Sequence, residues 1–263
     1  MIKTFVLVAF IVGSSYTSTI RWYKVEKGLD VAIYEPTQQS DYGDSKITIL
    51  KIDPALYNFN LMHCADGHVA SEWSKEMGYS VVVNAGMFDH DTKSMGYMQE
   101  FDSIYTNKMN SDRAVLALNR KGNDVPKAQI IDLIEDDWTT LSQRYNSFLQ
   151  SIRMVSSSGR NMWSQQNKMW SVVVIAIDKD SNVLLIHCRS PYTMHDFINI
   201  MLDSPLNIKN MMYLEGGPEA TMYLTHNGNS LLRVGSYETG FMEHDKNKSQ
   251  WDLYNIIGVT KKR

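Results

Sequence analysis

Two strand-like segments of this sequence each end in a polar residue that is followed by small residues. In VVVNAGMFDHD, Asn84 ends a run of valines and Gly86 lies in the turn that follows. In YLEGGPEATMYL, Glu215 ends an apolar run, and Gly216 and Gly217 come directly after it. Polar groups at the ends of rigid strands are typical of functional sites, and glycine lets a ligand approach the backbone closely. The spacing therefore predicts either a site centred on Glu215 or a plain tight turn.

Further carboxylates follow both segments. Asp89 is a candidate second catalytic acid, and Glu219 is a candidate partner of Glu215. The alternatives are an exposed loop acid for Asp89 and the start of the next strand for Glu219. Asp89 and Asp91 could together bind a calcium or magnesium ion, although two carboxylates alone are a weak signal for such a site. No cluster of transition-metal ligands is visible in the sequence, so we expect neither a cofactor nor a metal site.

The pattern of apolar residues predicts many strands and few helices. Helices are predicted at Val69–Met77, at Trp138–Leu149 and from Thr193 onward, where Thr193 can cap the first turn. Hairpins are predicted across residues 178–181 and across Asn227-Gly228. The helix from Thr193 links two apolar strands, which run parallel if they share a sheet. We therefore expect a single α+β domain with a mainly β, mixed-sheet core and a few flanking helices.

The amino terminus has the form of a secretory signal peptide. Lys3 precedes the apolar run Phe5–Val12, and small residues extend to Ser18. This pattern predicts a signal peptide at residues 1–18, a domain at 19–263 and a secreted or periplasmic location, the alternative being a first core strand. The run is shorter than the roughly 20 residues that a membrane span needs.

Net charge, cysteine content and absent motifs narrow the possible partners and enzyme classes. The formal net charge of −3 implies no basic face, so nucleic acid is not an expected partner. The two cysteines, Cys64 and Cys188, allow either one disulfide or two buried thiols. The motifs GxSxG, HExxH and Walker A are absent, which argues against serine esterases, zinc proteases and P-loop proteins. The sequence does not predict an oligomeric state.

Taken together and in this order, VVVNAGMF, the following Gly96 and YLEGGPEATMYL resemble the phosphodiester glycosidase family. The resemblance extends from about Ile47 to the carboxyl terminus. Glu215 stands where the family usually has Asp, and Glu219-Ala220-Thr221 occupies its usual serine region. Lys168 is the nearest candidate for a basic residue that the family commonly has before the strand at Ser171.

The resemblance implies a secreted hydrolase that cleaves the glycosyl–phosphate bond of a sugar-1-phosphodiester. Because a phosphomonoester leaves readily, the implied role of Glu215 is nucleophile or water-activating base. Asn84 is expected to bind a sugar hydroxyl or to position water. Gly216 and Gly217 are expected to let the substrate approach the backbone.

A phosphodiester site also needs cations. Arginine binds phosphate through two parallel hydrogen bonds, and the candidates are Arg153, Arg160 and Arg189. An alternative function is a non-catalytic module that uses the same fold to bind a glycan or an envelope polymer. The presence of Glu215 where the family usually has Asp is the feature that favours this alternative.

Overall fold

The structure is a computed structural model and describes residues 20–263, so the predicted signal peptide at 1–18 lies outside the described residues. These residues form three α-helices and three β-sheets. The strands are β1 Arg21–Glu26, β2 Leu29–Tyr34, β3 Ile47–Ile52, β4 Tyr57–His68, β5 Val81–Asn84, β6 Met98–Glu100, β7 Ser103–Thr106, β8 Ala114–Arg120, β9 Ala128–Asp132, β10 Tyr145–Ser151, β11 Arg153–Val155, β12 Trp170–Asp178, β13 Val183–Tyr192, β14 Ile208–Gly216, β15 Thr221–His226, β16 Asn229–Val234 and β17 Leu253–Lys261. The helices are α1 Ala70–Met77, α2 Trp138–Leu141 and α3 Met194–Asp203.

The seven-stranded sheet has the order β1-β2-β3-β13-β12-β14-β11. The two five-stranded sheets have the orders β7-β6-β10-β8-β9 and β16-β15-β5-β17-β4. The prediction of a mainly β α+β domain is confirmed. Among the described strands, every pair of neighbours runs antiparallel, so these sheets are antiparallel and not mixed as predicted.

One apolar core is shared by all three sheets, and β12 shows how the sequence builds it. Val173 and Ile175 of β12 face the shared core. Val172 and Val174 face the opposite side, where they pack in a second cluster with Phe197 of α3. This alternation follows from the two-residue period of a strand, and it explains why β12 is apolar along its whole length.

Two of the three predicted helices are confirmed. α1 ends at Gly78, whose left-handed φ of 70° terminates the helix. α3 begins after Thr193, whose hydroxyl accepts a hydrogen bond from the backbone N–H of Asp196. The predicted helix Trp138–Leu149 was wrong beyond its first turn. A short 3₁₀ turn follows α2, and the chain then enters β10, which pairs with both β6 and β8.

Both predicted hairpins are present. Asn227 and Gly228 join β15 to β16 with positive φ angles, as a tight hairpin turn requires. Asp178 organises the turn between β12 and β13 by accepting hydrogen bonds from the backbone N–H groups of Asp180 and Asn182. The two strands joined by α3, β13 and β14, lie in one sheet on either side of β12 and are antiparallel to it, so they run parallel to each other, as predicted.

The two cysteines do not pair. Cys188 is buried in β13, whereas Cys64 is half-buried, and both are free thiols. None of the helices between residues 20 and 263 has the length and apolar character needed to cross a membrane.

Candidate active site

The segment that joins β14 to β15 passes from one sheet to another. It forms a 3₁₀ turn over Gly217–Glu219, here called the acidic turn. Asn84, at the end of neighbouring β5, holds this turn in place. Its Nδ2 donates to the carbonyl of Glu219 at 3.2 Å, and its Oδ1 accepts from the N–H of Thr221 at 2.7 Å. Asn84 is therefore a positioning residue that couples one strand end to the other.

A cavity of about 440 Å³ opens beside the acidic turn. It is lined by aromatic, acidic and small residues: Met87, Lys168, Trp170, Tyr213, Glu215, Gly216, Gly217, Glu219, Glu238 and Thr239. Among these residues are three carboxylates and one cation. The volume is within the usual range for a small-molecule site.

Glu215 is the most enclosed of the three carboxyl groups, with 6% of its surface exposed. Its Oε1 accepts a hydrogen bond from the N–H of Gly216 at 3.0 Å. Burial raises the pKa of Glu215 to about 8, and the nearby Glu219 and Glu238 carboxylates add to that rise. At neutral pH the Glu215 carboxyl therefore carries its proton.

The pKa values of the other two glutamates are also raised. Burial and the charge of Glu238 raise the pKa of Glu219. Burial also raises the pKa of Glu238, but the ammonium of Lys168 opposes that rise. The charges therefore favour ionisation of Glu238 before Glu215. Carboxyl groups with pKa values held apart in one cavity are typical of sites that use one acid and one base.

The two glycines after Glu215 accommodate protein side chains. A Cβ atom on Gly216 would overlap the Tyr213 hydroxyl and the Trp170 indole. Gly217 has a φ of +61°, and a Cβ there would overlap the Glu238 carboxylate. Their missing side chains therefore let the cavity walls pack against the turn. Both glycines also line the cavity, and substrate approach at these positions stays a prediction.

Glu238 is a site residue that the sequence analysis missed. An isolated β-bridge pairs it with Trp170 at the start of β12, and this pairing brings its loop to the cavity. No periodicity marks such a bridge in the sequence. Lys168 was identified only through the family resemblance, and the structure places it in the cavity wall.

The three candidate arginines do not line this cavity. Arg153 lies on β11 and donates from its Nη1 to both carboxylate oxygens of buried Asp132, at 2.7 and 2.8 Å. Arg160 is mostly exposed and pairs with Glu135 at 2.7 Å. Both guanidinium groups therefore already have carboxylate partners outside the cavity wall.

Arg189 contacts the acidic turn only indirectly. It pairs with Asp245 at 2.6 Å and donates to the carbonyl oxygens of Val234 and Asn247. Asn247 in turn donates to the carbonyl of Pro218 at 3.3 Å. Through Asn247, Arg189 therefore supports the acidic turn from outside the cavity. Arg189 is not in the cavity wall, so it does not hold phosphate there as expected.

Asp89 and Gly86 also lie outside the cavity wall. Asp89 is exposed, and its carboxylate accepts hydrogen bonds from the backbone N–H groups of Asp91 and Lys93, which organise the loop after β5. Gly86 is buried with a φ of +80°, and a Cβ there would make ordinary contacts with Leu149 and with the carbonyl of Gln150. Within residues 20–263, no group of three or more His, Cys, Asp or Glu side chains is arranged to hold a metal ion.

The family model for phosphodiester glycosidases matches residues 77–260, which contain the acidic turn and all three cavity glutamates. The chain belongs to this family. No match was found among curated proteins. The match begins near the end of α1 and ends in β17, so it includes both strand ends of the site.

Solved structures share the fold at low sequence identity. The zebrafish N-acetylglucosamine-1-phosphodiester alpha-N-acetylglucosaminidase catalytic domain, auto-inhibited by its pro-peptide, is 14% identical with a TM-score of 0.65 over 94% of this chain and 89% of that one. A hypothetical protein from Synechocystis is 10% identical with a TM-score of 0.57 over 94% of this chain and 65% of that one.

Proposed function

We propose that this protein hydrolyses a sugar-1-phosphodiester at the bond between the sugar and phosphate. The single observation that carries the proposal is the cavity with Glu215, Glu219 and Glu238, in a chain that belongs to the phosphodiester glycosidase family. A pair of carboxyl groups around the scissile bond is what most glycoside hydrolases use.

In this proposal Glu215 is the protonated member of the pair. Burial and the neighbouring carboxylates keep its pKa near 8, so at neutral pH it donates a hydrogen bond to the phosphate oxygen that leaves. This role differs from the nucleophile or base that the family resemblance implied. A neutral Glu215 also lowers the repulsion that an anionic substrate meets in the cavity.

Glu238 supplies the ionised carboxylate. Lys168 favours its charged form, so it is available to activate water or to attack the anomeric carbon. Lys168 also supplies the cation that the arginines do not, and it holds the phosphate of the substrate as a point charge. Glu219 lies on the acidic turn and completes the wall.

The test is hydrolysis of an aryl sugar-1-phosphodiester, with both halves of the product analysed. Cleavage at the sugar side gives free reducing sugar and aryl phosphate, whereas cleavage at the other side gives sugar-1-phosphate and a phenol. We expect reducing sugar. Glu215→Gln and Glu238→Gln should each lower kcat by at least ~100-fold, the usual effect of losing an acid–base group.

Glu135→Gln is the matched control, because Glu135 is a surface glutamate paired with Arg160 outside the cavity. It should retain wild-type turnover. Sugar-1-phosphate as the product, or near-normal turnover of Glu215→Gln, would contradict the proposal.

A second candidate is a module that binds an uncharged glycan without turnover. The observation that favours it is the charge of the cavity wall, where three carboxyl groups meet a single lysine. If all three ionise, they repel a phosphodiester. Glycan binding by wild type and Glu215→Gln alike, with no hydrolysis by either, would support this module.

We propose further that the domain acts outside the cytoplasm on a carbohydrate phosphodiester, after removal of residues 1–18. The signal-like run before Ser18 supports this. Amino-terminal sequencing of the exported protein should find a start near residue 19, and retention of Met1 would contradict it.

A further inference from the structure

A second cavity, of about 340 Å³, lies far from Glu215. β17 carries the chain away from the candidate active site: Ile256 pairs with Asn84, and Lys261 pairs with Tyr57. At about 3.3 Å per residue, the six steps along the chain from Ile256 to Lys262 span about 20 Å. Tyr57 and Lys262 both line this cavity, which is therefore at the opposite end of the sheet from the acidic turn.

Four cations and no carboxylate line this basic cavity. Its wall consists of Pro54, Tyr57, Asn58, Phe59, Leu118, Asn119, Arg120, Lys121, Gly122, Asn123, Lys127 and Lys262. Among the described residues, none of these four cations forms an ion pair with a carboxylate within 4.0 Å. The chain as a whole has a net charge of −3, so this concentration of positive charge is local.

Neutral acceptors hold two of these cations in place. Arg120 donates to the carbonyl of Val125 at 2.6 Å and to Oδ1 of Asn123 at 2.8 Å. Lys262 donates to the carbonyl of Pro54 at 2.8 Å. These contacts fix the side chains without neutralising their charge, which is the arrangement that an anion site needs.

Acids around the cavity are engaged in other contacts. Glu26, which contacts the wall residue Tyr57, pairs with Lys261. Asp124 pairs with Arg144 at 3.2 Å. Asp53 accepts from the N–H of Ala55 at 2.7 Å. The mutual repulsion of the cations is evident at Lys262, where burial and the charges of Lys127 and Arg120 lower the pKa of the ammonium against the opposing charge of Asp53. An anion in the cavity would relieve this repulsion.

We propose that the basic cavity binds the phosphate monoester of a phosphorylated saccharide. Arg120, Lys127 and Lys262 hold the phosphate oxygens, and the exposed amide of Asn58 binds a sugar hydroxyl. The volume supports a ligand larger than phosphate alone, because it is about ten times the ~30 Å³ that one water occupies in the liquid. This site is independent of the proposed hydrolysis.

Isothermal titration calorimetry on the whole protein tests the proposal, with glucose 6-phosphate, inorganic phosphate and glucose as the probes. We expect glucose 6-phosphate to bind more tightly than inorganic phosphate, glucose not to bind, and affinity to fall as salt rises. Lys127→Met and Lys262→Met should each weaken binding of glucose 6-phosphate by ~10-fold, the scale of one charge-assisted hydrogen bond.

Two controls locate the binding. Lys75→Met, at an exposed lysine on α1, should leave the affinity unchanged. Glu215→Gln should also leave it unchanged, because the active-site cavity is at the other end of the sheet. No binding of glucose 6-phosphate, or equal weakening by Lys75→Met, overturns the proposal. Equal affinity for inorganic phosphate overturns its saccharide part, and loss of binding in Glu215→Gln would place the anion in the wrong cavity.

Discussion

The proton on Glu215 makes a prediction about stability that needs no substrate. The usual pKa of a glutamate is 4.5, and burial with two neighbouring carboxylates raises that of Glu215 to about 8. Between these values the folded protein keeps the proton and the unfolded chain loses it. The folded state therefore binds more protons, so the contribution of Glu215 to stability is fully present below pH 4.5 and is lost as pH rises toward 8.

The size of the effect follows from that interval. From pH 4.5 to pH 7, at about 1.4 kcal/mol per pH unit, burial of Glu215 lowers the free energy of unfolding by roughly 3 kcal/mol. Glu215→Gln keeps the shape and the oxygen that accepts from the N–H of Gly216, but it has no proton to lose. Relative to wild type, the variant should therefore gain roughly 3 kcal/mol of stability between pH 4.5 and pH 7.

Urea unfolding of wild type and Glu215→Gln at several pH values between 4.5 and 8.5 measures this difference. Glu135→Gln is the control of opposite sign, because Arg160 lowers the pKa of Glu135 to about 2. The contribution of Glu135 is present above pH 4.5 and is lost only as pH falls toward 2, so that variant should track wild type over the range. If the Glu215→Gln curve also runs parallel to wild type, Glu215 does not hold a raised pKa and the role of proton donor fails.

Three further predictions concern the cavity. The pH profile of kcat/KM should be bell-shaped, rising as Glu238 ionises and falling near pH 8 as Glu215 loses its proton; a rate that still rises through pH 8 would make Glu215 the base. Lys168→Met should raise KM for the phosphodiester by ~10-fold with a smaller change in kcat, because Lys168 holds the phosphate equally in the bound substrate and in the transition state. Lys75→Met, measured in parallel, should leave both constants unchanged. Gly216→Ala should lower the free energy of unfolding by about 1–3 kcal/mol, the cost of overpacking, and an unchanged urea midpoint would contradict the tight packing of Gly216.

Local patterns in the sequence were sufficient to predict the two strand ends of the site. Short continuous apolar runs ended by Asn84 and by Glu215 are typical of buried strands, and the structure places β5 and β14 there. The Asn227-Gly228 hairpin and the cap at Thr193 were predicted for the same reason, since their stabilising contacts lie within a few residues.

Contacts between distant residues were not predictable in this way. Arg153 and Arg160 were reasonable phosphate ligands until Asp132 and Glu135, more than twenty residues earlier, were found beside them. Likewise, the segment after α2 has enough apolar residues for a helix, but pairing with β6 and β8 on both sides makes it a strand. Glu238 reaches the cavity through an isolated β-bridge to Trp170, and no periodic pattern in the sequence predicts such a bridge.

The contacts of Asn84 with the acidic turn also bear on the order of folding. Its partners Glu219 and Thr221 are 135 and 137 residues away along the chain. Contacts of such long range cost much loop-closure entropy, so they form slowly compared with local hairpins. The site is thus assembled only after β5 and β15, which are distant along the chain, pair in one sheet. During refolding, recovery of catalytic activity should lag behind the circular dichroism signal of the strands, and Asn84→Ala should lengthen that lag.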